Sequence, residues 1–367
     1  MKIGIPKESQ QGESRVAITP DIASRFVREG SEVFLETGAG EMALFSDEDY
    51  QAVGVKTVER GILYGCDAMH SIHPISKSEL PKLNPGMVLV SLFSGIESDY
   101  FRAACAAKIS ILALERIPRI SRAQSMDVLS SQANIAGYRA VIEAASRYSR
   151  FFPLMMTSAG SSRPAKLLVL GVGVAGLQAI ATSRRLGAQV TAYDIREETK
   201  EQVKSLGAKF LELDVGETGS GHGGYAKELT DEGKKQQQEA LNSTLSSFNI
   251  IITTANIPGR KAPTLITEAA VEKMNKGTLI IDMAAESGGN CPLTECGLVV
   301  EKNGVTFVGI TNYPALVPSD SSQFFARNIY ELMKIVNPPG GKFLDTSDEI
   351  IDAALLVFGG EQRKEVD

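Results

Sequence analysis

Three glycines, Gly171, Gly173 and Gly176, stand between an apolar run, Lys166–Leu170, and a helical stretch, and Asp194 closes a second apolar run, Gln189–Tyr193. Each residue type suits one part of a phosphate-bridged dinucleotide. Gly171 permits a tight turn off the strand, Gly173 lets the backbone approach a pyrophosphate, and Gly176 allows helix and strand to pack closely. The helix N-terminus offers free N–H groups and a positive dipole end to the phosphates. Asp194, eighteen positions past Gly176, falls where a carboxylate meets the adenosine ribose hydroxyls. It favours NAD and repels the extra phosphate of NADP. Val174 and Ile195 complete this candidate NAD contact set. Arg196 has two readings: an acceptor of a 2′-phosphate, or a solvated surface side chain, which is preferred. A glycine triplet alone also occurs in ordinary strand–helix–strand units. The order strand, triplet, helix, strand, acid carries the signal.

Such a turn needs a parallel sheet behind it, and the rest of the chain supplies strand candidates. In the first third these are Lys2–Ile5, Glu32–Leu35, Ala68–Ile72, Met87–Ser91 and Ser110–Leu114, with helical segments between; Leu129–Arg147 reads as a long helix. Beyond it come Leu167–Leu170, Gln189–Tyr193, Ile250–Thr253, Leu279–Met283 and Thr306–Gly309. This alternation predicts an α/β fold of two Rossmann-like domains with parallel sheets and the nucleotide in the cleft between them. A break at Pro153 and residues 158–164 places the boundary near 136–150. The expected domains are 1–136 with 322–367, and an NAD-binding domain at 137–321. Helical residues Ser322–Ile335 return the chain to the first domain, Asp345–Phe358 reads as a last amphipathic helix, and the tail GEQRKEVD as frayed. Residues 215–238, with five glycines between Gly216 and Gly224, read as a surface loop, either a functional lid or an insertion.

Bulk properties narrow the function. The 367 residues are 43% hydrophobic and 22% charged, values of a globular protein, and the net charge of −6 excludes overall attraction to nucleic acid or anionic lipid. The opening MKIGIPKESQ lacks the apolar core of a signal peptide, and the longest apolar stretch falls short of a membrane span. The four cysteines match no zinc spacing, so no metal is expected.

Residues 116–140, RIPRISRAQSMDVLSSQANIAGYRA, resemble the NAD-binding component (dI, within the alpha subunit) of proton-translocating NAD(P) transhydrogenases. The likeness extends through GVGVAGLQAIATSRRLGA, GGYAKEL, TTANIPG, AAESGGNCPL and ITNYPALVPSD. GIPKE, ESRVAITP and FSDEDY resemble alanine dehydrogenases as well. Resemblance to the dehydrogenase implies a Lys and a His for pyruvate. DAMHSIHPIS has no Lys before Pro74, and VSLFSGIES has no His, although Arg15 matches the carboxylate-binding Arg. Reduction of an imine or ketone needs a general acid. Hydride exchange between two nicotinamides moves no proton at the carbon and needs mainly juxtaposed rings.

The transhydrogenase resemblance implies the reaction NADH + NADP⁺ ⇌ NAD⁺ + NADPH. NAD(H) is held here, NADP(H) on a separate component, and a membrane-spanning component couples transfer to proton translocation. It also implies a homodimer in the cytoplasm or an organelle matrix, peripheral to the membrane through its partners. The loop of Arg119, Gln124, Asp127 and Ser130 lies over the nicotinamide in that family. Gln124, both donor and acceptor, is the candidate that bridges ribose and incoming ring. Arg119 and Asp127 orient it or bind carboxamide and phosphates; Ser130 caps the next helix or donates to the carboxamide. Tyr225 belongs to a loop that closes over the nucleotide, with Leu229 where the motif usually has Met. Thr254, Ala255 and Asn256 end a strand where ribose is approached. Glu286 organises the site, Asn312 meets the nicotinamide side, and Asn290 is assigned either to the site or to a turn. The rivals are NAD-dependent alanine dehydrogenase and a non-catalytic NAD-binding sensor.

Overall fold

The structure, a computed structural model, describes residues 1–213, 231–256 and 260–364. Tyr225, Leu229 and the glycines between 216 and 224 lie outside the described residues. The chain divides into two units, Met1–Gln132 with Pro314–Asp367, and Ala133–Tyr313. The first division falls inside the helix Val128–Arg147.

The first unit opens with β1 (Lys2–Ile5), β2 (Glu32–Glu36), β3 (Lys56–Val58), β4 (Ala68–His70), β5 (Val88–Ser91) and β6 (Ser110–Ala113). They lie parallel in the order β3-β2-β1-β4-β5-β6. Strands β4 to β6 are buried at every position, because helices cover both faces and leave no polar side to alternate. The helix Pro20–Arg28 starts on a proline, which suits a first turn that needs no donor there, and buries Ile22, Ala23 and Phe26 at helical spacing. Strand order reverses at β1, so the carboxyl ends of β1 and β4 meet at a switch point.

The second unit begins with an exposed antiparallel hairpin, β7 (Met155–Thr157) and β8 (Gly160–Ser162). Its main sheet follows: β9 (Lys166–Leu170), β10 (Gln189–Tyr193), β11 (Lys209–Phe210), β12 (Ile250–Thr253), β13 (Leu279–Asp282), β14 (Val299–Lys302) and β15 (Val305–Val308). The order is β11-β10-β9-β12-β13-β15-β14, parallel except for β14 at the edge. Here the reversal lies at β9, whose neighbours are β10 and β12. Leu167, Val169, Val190, Ile250, Ile252 and Ile281 form the core beneath the glycine turn.

Three expectations need correction. Asp345–Phe358 is not one helix: the helix covers only Glu349–Ala354, and Leu355–Phe358 is β16, antiparallel to β6. The first sheet would otherwise end on an open apolar edge, and pairing with β6 satisfies both strands. The tail is not wholly frayed, because β17 (Glu361–Gln362) pairs with β16. Within the expected loop 215–238, the residues from 231 onward belong to a helix, Asp231–Leu245.

Candidate functional site

In the second unit the candidate nucleotide residues converge on the carboxyl ends of β9, β10 and β12. Gly171 turns the chain at φ +97°, a conformation open to glycine, and a Cβ there would lie 2.6 Å from Thr254 Oγ1. Gly176 is enforced by closeness, since its Cβ would stand 2.0 Å from the Gly171 carbonyl oxygen. Gly173 differs: a Cβ there meets no atom of the described residues within 4 Å. Among the described residues no packing constraint demands glycine at 173, and the backbone there is open to a close approach. Val174 begins the helix Val174–Arg185, whose first amides have no intrahelical acceptor and face the turn. The residues therefore fit the dinucleotide that the fold implies.

Asp194 accepts four hydrogen bonds. Oδ1 takes Arg196 N (2.9 Å) and Nε (3.0 Å), and Oδ2 takes Val172 N (2.7 Å) and Arg196 Nη2 (3.0 Å). Burial opposes its charge, yet the Arg196 guanidinium and the amides outweigh that and hold the carboxyl below its usual range. Arg196 is thus more than a solvated side chain: half its fork grips Asp194, and Nη2 also reaches the Val172 carbonyl. Ile195 projects beside them, 53% exposed. Thr254 braces the turn by donating its hydroxyl to the Gly171 carbonyl at 2.9 Å; Ala255 is half-buried and Asn256 exposed. Glu286 is exposed on a short turn after β13, and Asn312 is half-buried after β15.

A buried hub escaped the sequence reading. Asp282, fully buried at the end of β13, accepts from Thr253 Oγ1, Thr294 Oγ1 and the amides of Ala284, Asn290 and Cys291. Asn290, also fully buried, donates Nδ2 to the carbonyls of Ala255 and Pro263, each at 2.8 Å. A carboxylate inside the apolar text LIID was the available signal.

In the first unit the expected loop forms a turn, Ser121–Met126, with Ala123 and Met126 buried and Gln124 exposed. It is pinned by Asn328 Nδ2, which donates to the Ser125 carbonyl (2.7 Å), and by the Arg122 fork on Asp348 (2.7 and 2.9 Å). Arg119 is exposed, and no ion pair joins it to Asp127 among the described residues. Asp127 instead accepts the amide (2.9 Å) and hydroxyl (2.6 Å) of Ser130, capping the helix Val128–Arg147.

The switch point of the first sheet gathers a second cluster around Arg15, with Glu8 and Glu13 as the members the sequence did not single out. Glu8 accepts the amides of Ile72 (2.6 Å) and His73 (3.2 Å), and burial pushes its carboxyl up to about 7. His73 Nε2 lies 2.8 Å from Glu13 Oε2, and Glu13 takes Arg15 Nε and Nη2 at 2.8 and 2.7 Å. Arg15 Nη1 donates to Gln132 Oε1 at 2.8 Å. Burial raises the Glu13 pKa, but Arg15 and His73 more than reverse this and hold it well below the carboxylate range. The first unit is therefore not devoid of proton-carrying groups, as the missing Lys and His alone had implied.

The fold and turn define a class, two switch-point α/β sheets of which the second carries a dinucleotide fingerprint. Two family descriptions match: "Alanine dehydrogenase/PNT, N-terminal domain" over residues 4–136 and "Alanine dehydrogenase/PNT, C-terminal domain" over 140–365. The chain belongs to this alanine dehydrogenase/PNT family. It is 48% identical over 343 residues to an NAD(P) transhydrogenase subunit alpha polypeptide of Rhodospirillum rubrum, covering 91% of this chain and 89% of the relative. A transhydrogenase structure from Sinorhizobium meliloti superposes with a TM-score of 0.91 at 37% identity, covering 99% of this chain and 100% of the other. An L-alanine dehydrogenase structure shares the fold, with a TM-score of 0.82 at 23% identity over 99% of this chain and 96% of its own.

Proposed function

We propose that this chain is the NAD(H)-binding subunit of an NAD(P) transhydrogenase of the Re/Si-specific, proton-translocating type. The observation that carries the reading is the turn at Gly173, where open space replaces any packing reason for glycine. The backbone from Gly171 to Gly176 receives the pyrophosphate, and Asp194 receives the adenosine ribose as the Arg196 guanidinium gives up the two donations it makes to the carboxylate. Bound nicotinamide supplies or accepts the hydride. Gln124, exposed on a turn pinned from both sides, offers a donor and an acceptor and has no titrating proton, which suits a step that moves none at the carbon. Thr254, Ala255 and Asn256 approach the sugar; Glu286 and Asn312 end neighbouring strands of the same sheet.

In this reading NADP(H) sits on a separate component, a membrane-spanning component couples transfer to proton movement, and the chain works as a homodimer. No helix among the described residues is long and apolar enough to cross a membrane, so membrane association runs through the partners. Rapid-mixing measurements test the role of Gln124. Gln124→Asn is expected to keep NADH affinity within about twofold and to slow hydride transfer at least about tenfold, the loss of one well-placed hydrogen bond. An unchanged transfer rate removes Gln124 from the reaction.

The Glu8, His73, Glu13 and Arg15 cluster favours one second reading, keto-acid chemistry as in an alanine dehydrogenase. Every Arg15 side-chain nitrogen already has a partner in Glu13 or Gln132, which weighs against it. Pyruvate- and ammonium-dependent oxidation of NADH by the chain alone decides, and none is expected.

A further inference from the structure

The geometry points to Asn290 as a positioning residue that fixes the Thr254–Ala255–Asn256 turn in its nucleotide-receiving shape, an inference that rests on the NAD(H) reading of the second unit. Both hydrogens of its amide are committed to carbonyls at the two ends of one segment, Ala255 and Pro263. Because both neighbours are acceptors, chemistry dictates which end of the amide faces them. The Oδ1 atom is buried and has no partner among the described residues. Folded chains rarely keep such an atom, and an apolar side chain in its place would be the cheaper solution if filling space were the only demand. What no apolar residue can do is bridge two carbonyls.

The bridge is itself anchored. The Asn290 amide donates to Asp282 Oδ2 at 2.8 Å, and its carbonyl accepts from Leu265 (2.8 Å) and Ile266 (3.0 Å). Gly288 and Gly289, at φ +95° and +75°, let the chain fold back over Asp282; a Cβ at 289 would lie 2.9 Å from the carboxylate. Asp282 in turn is tied to β12 through the Thr253 hydroxyl at 3.0 Å. The turn is thus held from two sides: Thr254 against the Gly171 carbonyl, Ala255 against Asn290. Among the described residues the Asn290 side chain hydrogen-bonds the proposed nucleotide contact set only through that backbone carbonyl.

The test is NADH titration of the full chain, wild type against Asn290→Ala, Asn290→Ser and Thr267→Ala, well below each melting temperature. Thr267 follows the Leu265 and Ile266 amides that donate to the Asn290 carbonyl and caps the helix Glu268–Val271, its side chain accepting the Ala270 amide at 3.2 Å. Its variant lowers stability beside the Asn290 backbone but removes neither of the two Asn290 side-chain bonds, so it separates lost stability from the lost bridge. Asn290→Ala is expected to weaken NADH binding at least about tenfold. Asn290→Ser, which keeps one donor, falls between, and Thr267→Ala binds as wild type does. Wild-type affinity in a folded Asn290→Ala chain overturns the inference, as does equal weakening by Thr267→Ala; should the alanine variant not fold, the serine variant decides by the same comparison. A wild-type chain that fails to bind NADH overturns the cofactor reading first and this inference with it.

Discussion

Asp194 carries four donors on two oxygens, and two of the four come from the Arg196 side chain. In the proposed reading a ribose diol takes the carboxylate as that guanidinium swings away, and a side chain 40% exposed has room to do so. Asp194→Ala removes the acceptor and frees Arg196 to meet a 2′-phosphate. NADH binding should weaken at least about tenfold, ~1.4 kcal/mol, while NADPH gains relative to NADH; paired fluorescence titrations read the ratio, and an unchanged ratio contradicts the assignment. His70 is the opposite case, a titratable group that the proposed reaction does not use. It is fully buried, both ring nitrogens lack partners among the described residues, its ring lies 5.9 Å from that of Phe26, and burial pushes its pKa down to about 3. With the folded value below the unfolded 6.5, its neutral form contributes stability above about pH 6.5 that is lost as pH falls toward 3. His70→Leu should raise stability at neutral pH by about 1–2 kcal/mol and flatten the loss on the acid side; melts at pH 7 and pH 5 that match wild type would refute this. The glycines and Asp194 were legible because their spacing is local. Glu8 and Ile72, sixty-four positions apart, meet only once β1 and β4 pair, so no motif announced them.

At the scale of elements, the glycine turn separates two reasons for the same residue. Gly176→Ala drives a methyl into the Gly171 carbonyl and must move the helix Val174–Arg185 off β9, so thermal stability and nucleotide binding both fall. Gly173→Ala meets no atom of the described residues within 4 Å. Its melting temperature should stay near wild type while NADH affinity drops, because the methyl occupies the space kept for phosphate. Melting and titration together check the pair, and a Gly173→Ala chain that binds NADH normally removes the phosphate from that position. The central strands were readable as short apolar runs bounded by turns. Leu355–Phe358 was not, since Glu349–Ala354 before it has helical spacing and only the free edge of β6 makes the next residues extend. The hub around Asp282 was equally hidden: its five donors come from the end of β12 and the segment that follows β13, and a carboxylate in an apolar strand looks like an error until those donors are in place.

For the whole molecule, both main sheets reverse strand order at their first strand, yet only the second follows that strand with a Gly-x-Gly-x-x-Gly turn. The first puts Glu8, Glu13 and Arg15 after β1 and His73 after β4. One architecture thus serves two chemistries, a backbone cradle for phosphate and a cluster of charged side chains. Hydride exchange between nicotinamides needs the cradle and a partner that presents the second ring; keto-acid reduction needs the cluster as well. The measurement that separates them most directly is single-turnover hydride transfer from NADH on this chain to an NADP⁺ held by an added NADP(H)-binding component, with pyruvate and ammonium as the alternative acceptor in a parallel run. Rapid transfer in the first and none in the second is the expected result. Brisk NADH oxidation by the isolated chain with pyruvate and ammonium, and no transfer to NADP⁺, would contradict it.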